Sequence, residues 1–274
     1  MNSAASPEPK QKPIRIPDLA RMKAAAEKIT MLTSYDASFA VLADAAGIDV
    51  VLVGDSLGNV IQGHSSTLPV TVDDMVYHTR AVARGLERAL LVSDLPFMAD
   101  RSSRHALDAA ARLMGEGGAA MVKLEGAGPI CEVMAALSAR RVPVCGHLGL
   151  TPQSVHALGG YRVQGRDHEA AGRLLEDARQ VAAAGADMLV LECVPATLGA
   201  QVSAELAIPV IGIGAGAGCD GQVLVVYDML GISRGPHPRF VKNFLAGRDS
   251  VQAALEAYVE AVRSGEFPAP EHGW

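Results

Sequence analysis

The chain has 274 residues, a formal net charge of −6 and a composition in which 49% of the residues are hydrophobic and only 4% aromatic. Its 28 glycines and its abundant alanine, valine and leucine are typical of an α/β protein rather than of a β-sandwich or a disordered chain. The negative charge and the lack of an extended basic run argue against a nucleic-acid-binding surface, so we expect small-molecule partners.

The first twelve residues are polar and proline-rich, which predicts a disordered tail over 1–12 ahead of a single domain over 13–274. This tail lacks the apolar stretch of a signal peptide, and no apolar run reaches the roughly 18 residues of a membrane span. We therefore expect a cytoplasmic protein without a membrane partner. The cysteines form no CxxC pair, which predicts reduced core residues at Cys131, Cys145, Cys193 and Cys219.

Short β-like runs alternate with longer helical patterns beyond the tail. The predicted strands cover Thr30–Thr33, Asp49–Gly54, Ala89–Asp94, Ala119–Leu124, Pro143–Gly146, Asp187–Glu192, Ile208–Gly212 and Val223–Tyr227. Helices with apolar positions three or four residues apart are predicted over Ala37–Ala46, Asp73–Glu87, Ser102–Gly115, Pro129–Arg140, His168–Ala184 and Ala196–Leu206. Such β-α alternation over about 250 residues predicts a closed (β/α)8 barrel, the TIM barrel.

One glycine pattern favours a different fold, an open doubly wound sheet with a nucleotide site. Gly216, Gly218 and Gly221 match GxGxxG, but another strand-like run, QVLVVYD, follows them instead of a helix. We interpret these glycines as a tight connection between two strands. Beyond the eighth strand, amphipathic helices are predicted over Arg239–Ala246 and Ser250–Ser264, where they would cap the barrel or contact another subunit.

Four apolar runs end in an acidic residue followed by a turn, at Asp55, Asp94, Glu125 and Glu192. The parallel strands of a barrel carry functional residues at their carboxyl ends, so we expect these carboxylates to share one polar site. A buried carboxylate without a partner is costly, and a metal ion or a proton must compensate it. The pattern therefore indicates an enzyme.

The candidate residues also suggest a reaction class. Asp55, Asp94 and Glu125 offer only oxygen donors, which suits Mg²⁺ better than zinc. Lys123 shares a strand face with Glu125, where its ammonium would anchor an anionic substrate or simply pair with a carboxylate. Glu192 lies among apolar neighbours that should raise its pKa, as in a general base, although a strand-end ion pair is the alternative. A metal ion with a carboxylate base favours abstraction of a proton α to a carbonyl.

Two predicted connections are much longer than the usual span of roughly 2–6 residues. One, SLGNVIQGHSSTLPVT, follows Asp55, and the other, LGLTPQSVHALGGYRVQGR, follows His147. Long connections at the carboxyl ends of strands are typical of active-site loops or lids, and Gly159, Gly160 and Gly165 would let the second one move. Packing against a neighbouring subunit is the alternative, and both can hold.

The chain resembles the ketopantoate hydroxymethyltransferase family from LTSYD at Leu32–Asp36 to PEH at Pro270–His272. The motifs between these ends are VGDSLG at Val53–Gly58, QGHSSTLPVT at Gln62–Thr71, DLPFM at Asp94–Met98, VKLEG at Val122–Gly126, VPVCGHLGLTPQSV at Val142–Val155, GGYRVQGR at Gly159–Arg166, LVLECVP at Leu189–Pro195 and IPVIGIGAG at Ile208–Gly216. This resemblance implies a (β/α)8 barrel of the phosphoenolpyruvate mutase/ketopantoate hydroxymethyltransferase type. It also implies a homo-oligomer, commonly a decamer.

The resemblance further implies a role for each candidate residue. Asp55 and Asp94 would hold Mg²⁺ or another divalent cation, with Glu125 close to the metal, directly or through water. The residues that would contact the ketoacid are Asp55, Ser56, Asp94 and Lys123. Glu192 would remove the C3 proton of 3-methyl-2-oxobutanoate, and the enolate would attack the one-carbon unit of 5,10-methylenetetrahydrofolate. The products would be 2-dehydropantoate and tetrahydrofolate, in the first committed step of pantothenate synthesis.

Two other functions stay open. Isocitrate lyase and phosphoenolpyruvate mutase are related barrels that act on metal-bound α-ketoacids, and Cys145-Gly146-His147 resembles the catalytic Cys-Gly-His of the lyase. Pro-Val precedes the motif here and the expected lysines are missing, so we interpret Cys145 as a core residue and His147 as a pocket residue without an assigned role. An inactive metabolite-binding scaffold is the third possibility, although the intact acidic set argues against it.

Overall fold

Eight parallel strands close into a barrel in the computed structural model, which describes residues 12–233, 235 and 237–274. Strands β1 to β8 are Ile29–Thr33, Val50–Val53, Leu90–Asp94, Met121–Glu125, Val144–Gly149, Met188–Glu192, Val210–Ile213 and Gly221–Leu224. Each strand pairs with the next one, and β8 pairs with β1 to close the ring. The predicted (β/α)8 barrel is confirmed. Except for Lys12, the predicted tail lies outside the described residues.

Helices surround the barrel. In the described part of the chain, α1 to α10 are Ile16–Ala24, Ala37–Ala45, Leu57–Val60, Val72–Ala83, Ser103–Gly115, Pro129–Ala139, His168–Ala183, Ala196–Glu205, Val226–Met229 and Val251–Ser264. Several begin where a side-chain oxygen accepts a hydrogen bond from a backbone N–H of the first turn, at Asp36, Ser102, Asp167 and Ser250. None of the helices described is long and apolar enough to cross a membrane.

Two local predictions near the end of the chain are wrong. The segment Arg239–Ala246 is not a helix, because the Asn243 side chain accepts hydrogen bonds from the two N–H groups of Leu245 and Ala246. The eighth strand ends at Leu224 instead of Tyr227. The chain turns into α9 at that point, where the Val226 N–H donates to the Thr33 hydroxyl at 3.0 Å.

The connection between β7 and β8 contains no helix, so the β-α alternation is interrupted once. Gly216 and Gly218 lie in this connection, and a Cβ at either position would approach a side chain of α8 to 2.5 Å. The glycines therefore let the connection pack directly on α8. The interpretation of the GxGxxG pattern as a tight link between strands is confirmed.

A buried ion-pair network ties the amino-terminal end of β2 to two neighbouring elements. Asp49 is fully buried and accepts hydrogen bonds from the Thr30 N–H at 3.0 Å and the Thr30 hydroxyl at 2.8 Å. Its other carboxylate oxygen lies 2.6 Å from Arg88 and 3.2 Å from Arg263 of α10. Asp49 thus has a donor for each oxygen, at the end of the barrel opposite the predicted site.

Replacing Asp49 by alanine should destabilise the fold, because the mostly buried Arg88 guanidinium and the buried Thr30 N–H would lose their acceptor. We expect a loss of about 3–5 kcal/mol in the free energy of unfolding, measured by urea denaturation. Asp73→Ala is the matched control, since it removes an ion pair with Arg112 in which the Asp73 side chain is 82% exposed. Equal losses in the two variants would contradict this account.

Candidate active site

A cavity of about 970 Å³ opens at the carboxyl ends of the strands. All of the predicted site residues line it, namely Asp55, Ser56, Asp94, Lys123, Glu125 and Glu192. The loops that follow β2, β5 and β8 form much of its wall, which agrees with the active-site interpretation of the two long connections. The structure therefore brings the candidate residues together in one place.

Strand register sets the order of the charged side chains on the cavity floor. Asp94 at the end of β3 lies beside Lys123 of β4. Glu125, two residues further along β4, lies beside His147 of β5. Side chains two residues apart in a strand face the same side, so the whole row points into the mouth of the barrel.

Asp55 and Asp94 form a close pair of buried carboxylates. The backbone N–H of Asp55 donates to Asp94 Oδ2 at 3.0 Å. Between β2 and Asp55, Gly54 leaves room for the Ser56 hydroxyl, since a Cβ there would lie 2.7 Å from Ser56 Oγ. Burial raises the pKa of both carboxyls, and repulsion from Asp94 and Glu125 raises the pKa of Asp55 further.

Lys123 is a buried cation of the cavity floor. Its Nζ lies 2.9 Å from Asp94 Oδ1, in an ion pair rather than a well-directed hydrogen bond, and 4.0 Å from Glu125 Oε1. Burial alone would lower the pKa of the ammonium, but the surrounding carboxylates outweigh this effect and raise it. Lys123 therefore stays charged at neutral pH.

His147 lies between the two glutamates of the floor. Its Nδ1 is 3.2 Å from Lys123 Nζ and 3.4 Å from Glu125 Oε1, and its Nε2 is 3.4 Å from Glu192 Oε2. Burial and the neighbouring Lys123 oppose protonation of the ring, yet the two carboxylates raise the pKa of His147 to about 9. The pKa of Glu125 is lowered, since His147 and Lys123 outweigh its burial. The surroundings of Glu192 are thus more polar than the sequence suggested.

The backbone around Glu192 is tightly constrained. Gly149 of β5 lies so close that a Cβ there would approach the Glu192 carbonyl oxygen to 2.1 Å. Cys193 adopts the left-handed conformation with φ of 50°, and its N–H donates to the Ile213 carbonyl at 2.8 Å. Non-glycine residues adopt this conformation only at a cost in free energy, which the surrounding structure must compensate. The left-handed conformation of Cys193 fixes the turn that follows Glu192.

The sequence analysis missed two residues that organise the site. Gln153 donates from its side-chain amide to Asp55 Oδ2 at 2.8 Å and from its backbone N–H to Glu125 Oε2 at 3.0 Å. Tyr35, fully buried, shares a 2.8 Å hydrogen bond with the Ser56 hydroxyl. The unusual length of the loop after His147 is the signal that could have pointed to Gln153.

Oxygen donors dominate the floor, which is the chemistry that a hard cation requires. The described residues include no group of three or more His, Cys, Asp or Glu side chains arranged to hold a metal ion. The geometry instead offers the Asp55–Asp94 pair, whose mutual repulsion a divalent cation would relieve. Two protein carboxylates with water and substrate oxygens suit Mg²⁺.

Three of the four cysteines, Cys131, Cys145 and Cys219, do not line the cavity, whereas Cys193 lines it beside Glu192. Cys145 is fully buried and does not line the cavity, and burial raises the pKa of its thiol to about 12. All four cysteines are free, and Cys131 is the partly exposed one. The use of Cys145 as in isocitrate lyase is therefore not supported, whereas His147 is confirmed as a pocket residue.

The chain is closely similar to a group of proteins that share one name. A family model described as ketopantoate hydroxymethyltransferase matches residues 13–270. The 3-methyl-2-oxobutanoate hydroxymethyltransferase of Nitrosococcus oceani is 60% identical over 253 residues, which cover 92% of this chain and 96% of that protein. The protein of the same name from Xylella fastidiosa (strain M12) is 59% identical over 262 residues, covering 95% of this chain and 96% of its relative.

Solved structures show the same fold at low sequence identity. The phosphoenolpyruvate phosphomutase of Streptomyces platensis subsp. rosaceus superposes with a TM-score of 0.59 at 14% identity, covering 93% of this chain and 92% of that one. This likeness concerns the barrel alone and agrees with the predicted barrel type. The family match over nearly the whole length of the chain goes further, and it shows that the chain belongs to the ketopantoate hydroxymethyltransferase family.

Proposed function

We propose that the chain transfers a hydroxymethyl group from 5,10-methylenetetrahydrofolate to 3-methyl-2-oxobutanoate, in the first committed step of pantothenate synthesis. Overall, the C3–H bond of the ketoacid breaks, C3 bonds to the methylene carbon, and one water supplies the hydroxyl group. The products are 2-dehydropantoate and tetrahydrofolate. The observation that carries the proposal is a carboxylate, Glu192, in the same cavity as a buried carboxylate pair and an ammonium group.

Asp55 and Asp94 would hold the divalent cation, for which Mg²⁺ is the best match to their oxygen donors. Glu125 would act through water, because its two oxygens already face His147 and the Gln153 N–H. When bound, the cation supplies Lewis-acid polarisation of the keto group, which acidifies the neighbouring C–H bond.

Lys123 and Ser56 would orient the ketoacid. The Lys123 ammonium remains charged among the carboxylates and provides an attractive partner for the substrate's own carboxylate. The Ser56 hydroxyl is held in place by Tyr35, so it can present a polar atom to the substrate with little loss of side-chain freedom. These contacts would fix which face of C3 is turned towards the base.

Glu192 would accept the C3 proton, and His147 would position it. The histidine ring lies 3.4 Å from Glu192 Oε2 on one side and 3.4 Å from Glu125 Oε1 on the other. A ring held between two carboxylates limits the rotamers that Glu192 can adopt. The base is thereby kept in one orientation before the substrate arrives, which is the preorganisation that proton transfer needs.

We also propose that the chain works as a cytoplasmic homo-oligomer, with ten subunits as the family resemblance implies. Support comes from large apolar side chains that are exposed away from the cavity, at Val41, Tyr77, Phe97 and Met98. Large apolar side chains that are exposed on a subunit become buried where subunits meet. The mass of the particle in solution, measured by light scattering, decides the number of subunits.

Glu192→Gln should abolish proton removal while leaving ketoacid binding nearly intact. We expect the exchange of the C3 proton in D2O, followed by NMR with saturating metal ion, to slow by about 10²–10⁴-fold. Glu205→Gln is the control, since Glu205 pairs with Arg179 on the surface, away from the cavity. Near-normal exchange in the Glu192 variant would assign the base elsewhere.

Removing the metal should stop the same exchange, and adding Mg²⁺ should restore it. Asp94→Asn deletes one charge of the carboxylate pair, so we expect Mg²⁺ affinity measured by calorimetry to fall about 100-fold or more. Asp100→Asn is the matched control, because Asp100 follows the same strand but does not line the cavity. Exchange that persists with a chelator present would overturn the metal assignment.

His147 should make stability depend on pH. Its pKa is raised from an ordinary 6.5 to about 9 in the folded chain. Its stabilising contribution to the free energy of unfolding is therefore complete below pH 6.5 and is lost as the pH rises through about 9. In metal-free protein we expect the melting temperature to fall across this range, and to fall less in His147→Gln. His156→Gln, on an exposed loop, should follow the wild type. Parallel curves for His147→Gln and wild type would refute this role.

A further inference from the structure

We propose that the outer part of the cavity binds the one-carbon carrier, with the carrier's rings against an aromatic wall and its glutamate carboxylates at two arginines. This outer cavity consists of Tyr161, Arg162, Tyr227, Arg239, Phe240 and Trp274. The inference rests on the proposed function and adds to it the residues that recognise the second substrate. Nothing in the floor chemistry described above uses these six side chains.

The size of the cavity leaves room for a second, larger ligand. Cavities of roughly 300–1,000 Å³ hold ligands of the size of a drug or a cofactor, and this one measures about 970 Å³. A branched five-carbon ketoacid fills only the floor around Lys123. The remaining volume extends along the loops that follow β5 and β8 to the solvent.

Charge is separated between the floor and the mouth of the cavity. The floor holds the carboxylates, all buried or nearly so, whereas Arg162 and Arg239 line the exposed mouth. Neither guanidinium forms a salt bridge with an acidic residue in the part of the chain that the structure describes, and Arg239 donates only to the Glu271 carbonyl, at 3.0 Å. Asp228, an acidic residue that also lines this cavity, already accepts a hydrogen bond from the Ser233 hydroxyl. The mouth therefore suits an anion.

An aromatic wall formed by Phe240 and Trp274 lines the outer cavity. The rings of Phe240 and Trp274 meet edge to face, with centroids 6.3 Å apart. Gly214 makes room for them, since a Cβ there would lie 2.7 Å from the Trp274 ring. The backbone oxygen of Trp274 accepts a hydrogen bond from the Ala196 N–H at 2.9 Å, which ties the wall to the start of α8 just after Glu192.

Apolar side chains at the cavity mouth are unusually exposed. Tyr161 is 59% exposed, Ile232 51% and Ile61 39%, and each comes from a different loop. They are three of the seven large hydrophobic side chains that are exposed in the described residues, and all three line this one cavity. Exposed apolar surface gathered at a cavity mouth indicates that a flat or apolar ligand covers it.

The chemistry of the carrier matches this arrangement from end to end. Its reactive methylene group belongs to a reduced pterin, an aminobenzoyl ring follows, and one or more glutamates end the molecule. The methylene group must reach C3 of the ketoacid on the floor, so the rings pass the aromatic wall and the glutamates point outwards. There the unpaired guanidiniums of Arg162 and Arg239 can bind the carboxylates.

Trp274 provides a direct binding signal, because it is the single tryptophan of the chain. We would titrate the full-length protein with tetrahydrofolate, the unreactive product form, and record tryptophan fluorescence. Saturable quenching is expected, and Arg162→Gln and Arg239→Gln should each raise Kd roughly five- to tenfold. The rise in Kd caused by each substitution should grow with the number of glutamates on the carrier and shrink at high salt.

Arg166→Gln is the matched control, since Arg166 is exposed in the same loop as Arg162 but does not line the cavity. Arg162→Lys should recover part of the lost affinity, and circular dichroism verifies the fold of each variant. If transfer from the carrier occurs but both glutamine variants bind tetrahydrofolate as the wild type does, the carrier site is wrong and the function stands. If neither quenching nor transfer occurs while C3 exchange persists, the transferase proposal fails and the carrier site with it.

Discussion

The arrangement of the site depends on one buried ammonium among three buried carboxylates. Lys123 lies 2.9 Å from Asp94 and 4.0 Å from Glu125, and Asp55 adds a third negative charge nearby. Lys123 and the protonated His147 carry two positive charges, which do not neutralise three acids. Burial and this excess of negative charge raise the pKa of Asp55, burial raises the pKa of Asp94, and His147 and Lys123 hold down the pKa of Glu125. The excess negative charge is what makes a divalent cation favourable at this place, and it requires the rigid barrel to hold like charges together.

Much of the fold and most of the floor could be predicted from the sequence, because both follow from local patterns. Buried Val/Leu runs bounded by turns predict strands. An acidic residue at the carboxyl end of a parallel strand lies at the barrel mouth, and this position does not depend on how the helices pack. The predicted strand bounds agree with the structure to within a few residues, and the main differences are that β5 extends to Gly149 and that β8 begins and ends earlier in the chain. Asn243 shows the limit: an apolar pattern predicted a helix, but one side-chain amide that captures two N–H groups was enough to prevent it.

The parts of the site that could not be predicted all depend on contacts between distant segments. Gln153 joins Asp55 to Glu125, yet 98 residues separate it from the aspartate whose oxygen it binds. Likewise, the apolar neighbours of Glu192 in the sequence suggested an apolar environment, and only the pairing of β5 with β6 brings the His147 ring against it. Sequence neighbours describe a residue's own strand, whereas the chemistry of a barrel is decided by the strands on either side.

The two aspartates that flank β2 show why position in the barrel matters more than residue type. Asp49 and Asp55 each adjoin the same apolar run, and both are buried. At the amino end Asp49 faces two arginines and the Thr30 N–H, so its charge is fully compensated and its role is structural. At the carboxyl end, the Asp55 carboxylate accepts a hydrogen bond from the Gln153 side-chain amide and faces other acids. A satisfied carboxylate stabilises the fold and is chemically inert, whereas the uncompensated one destabilises it and is therefore available to a cation and a substrate.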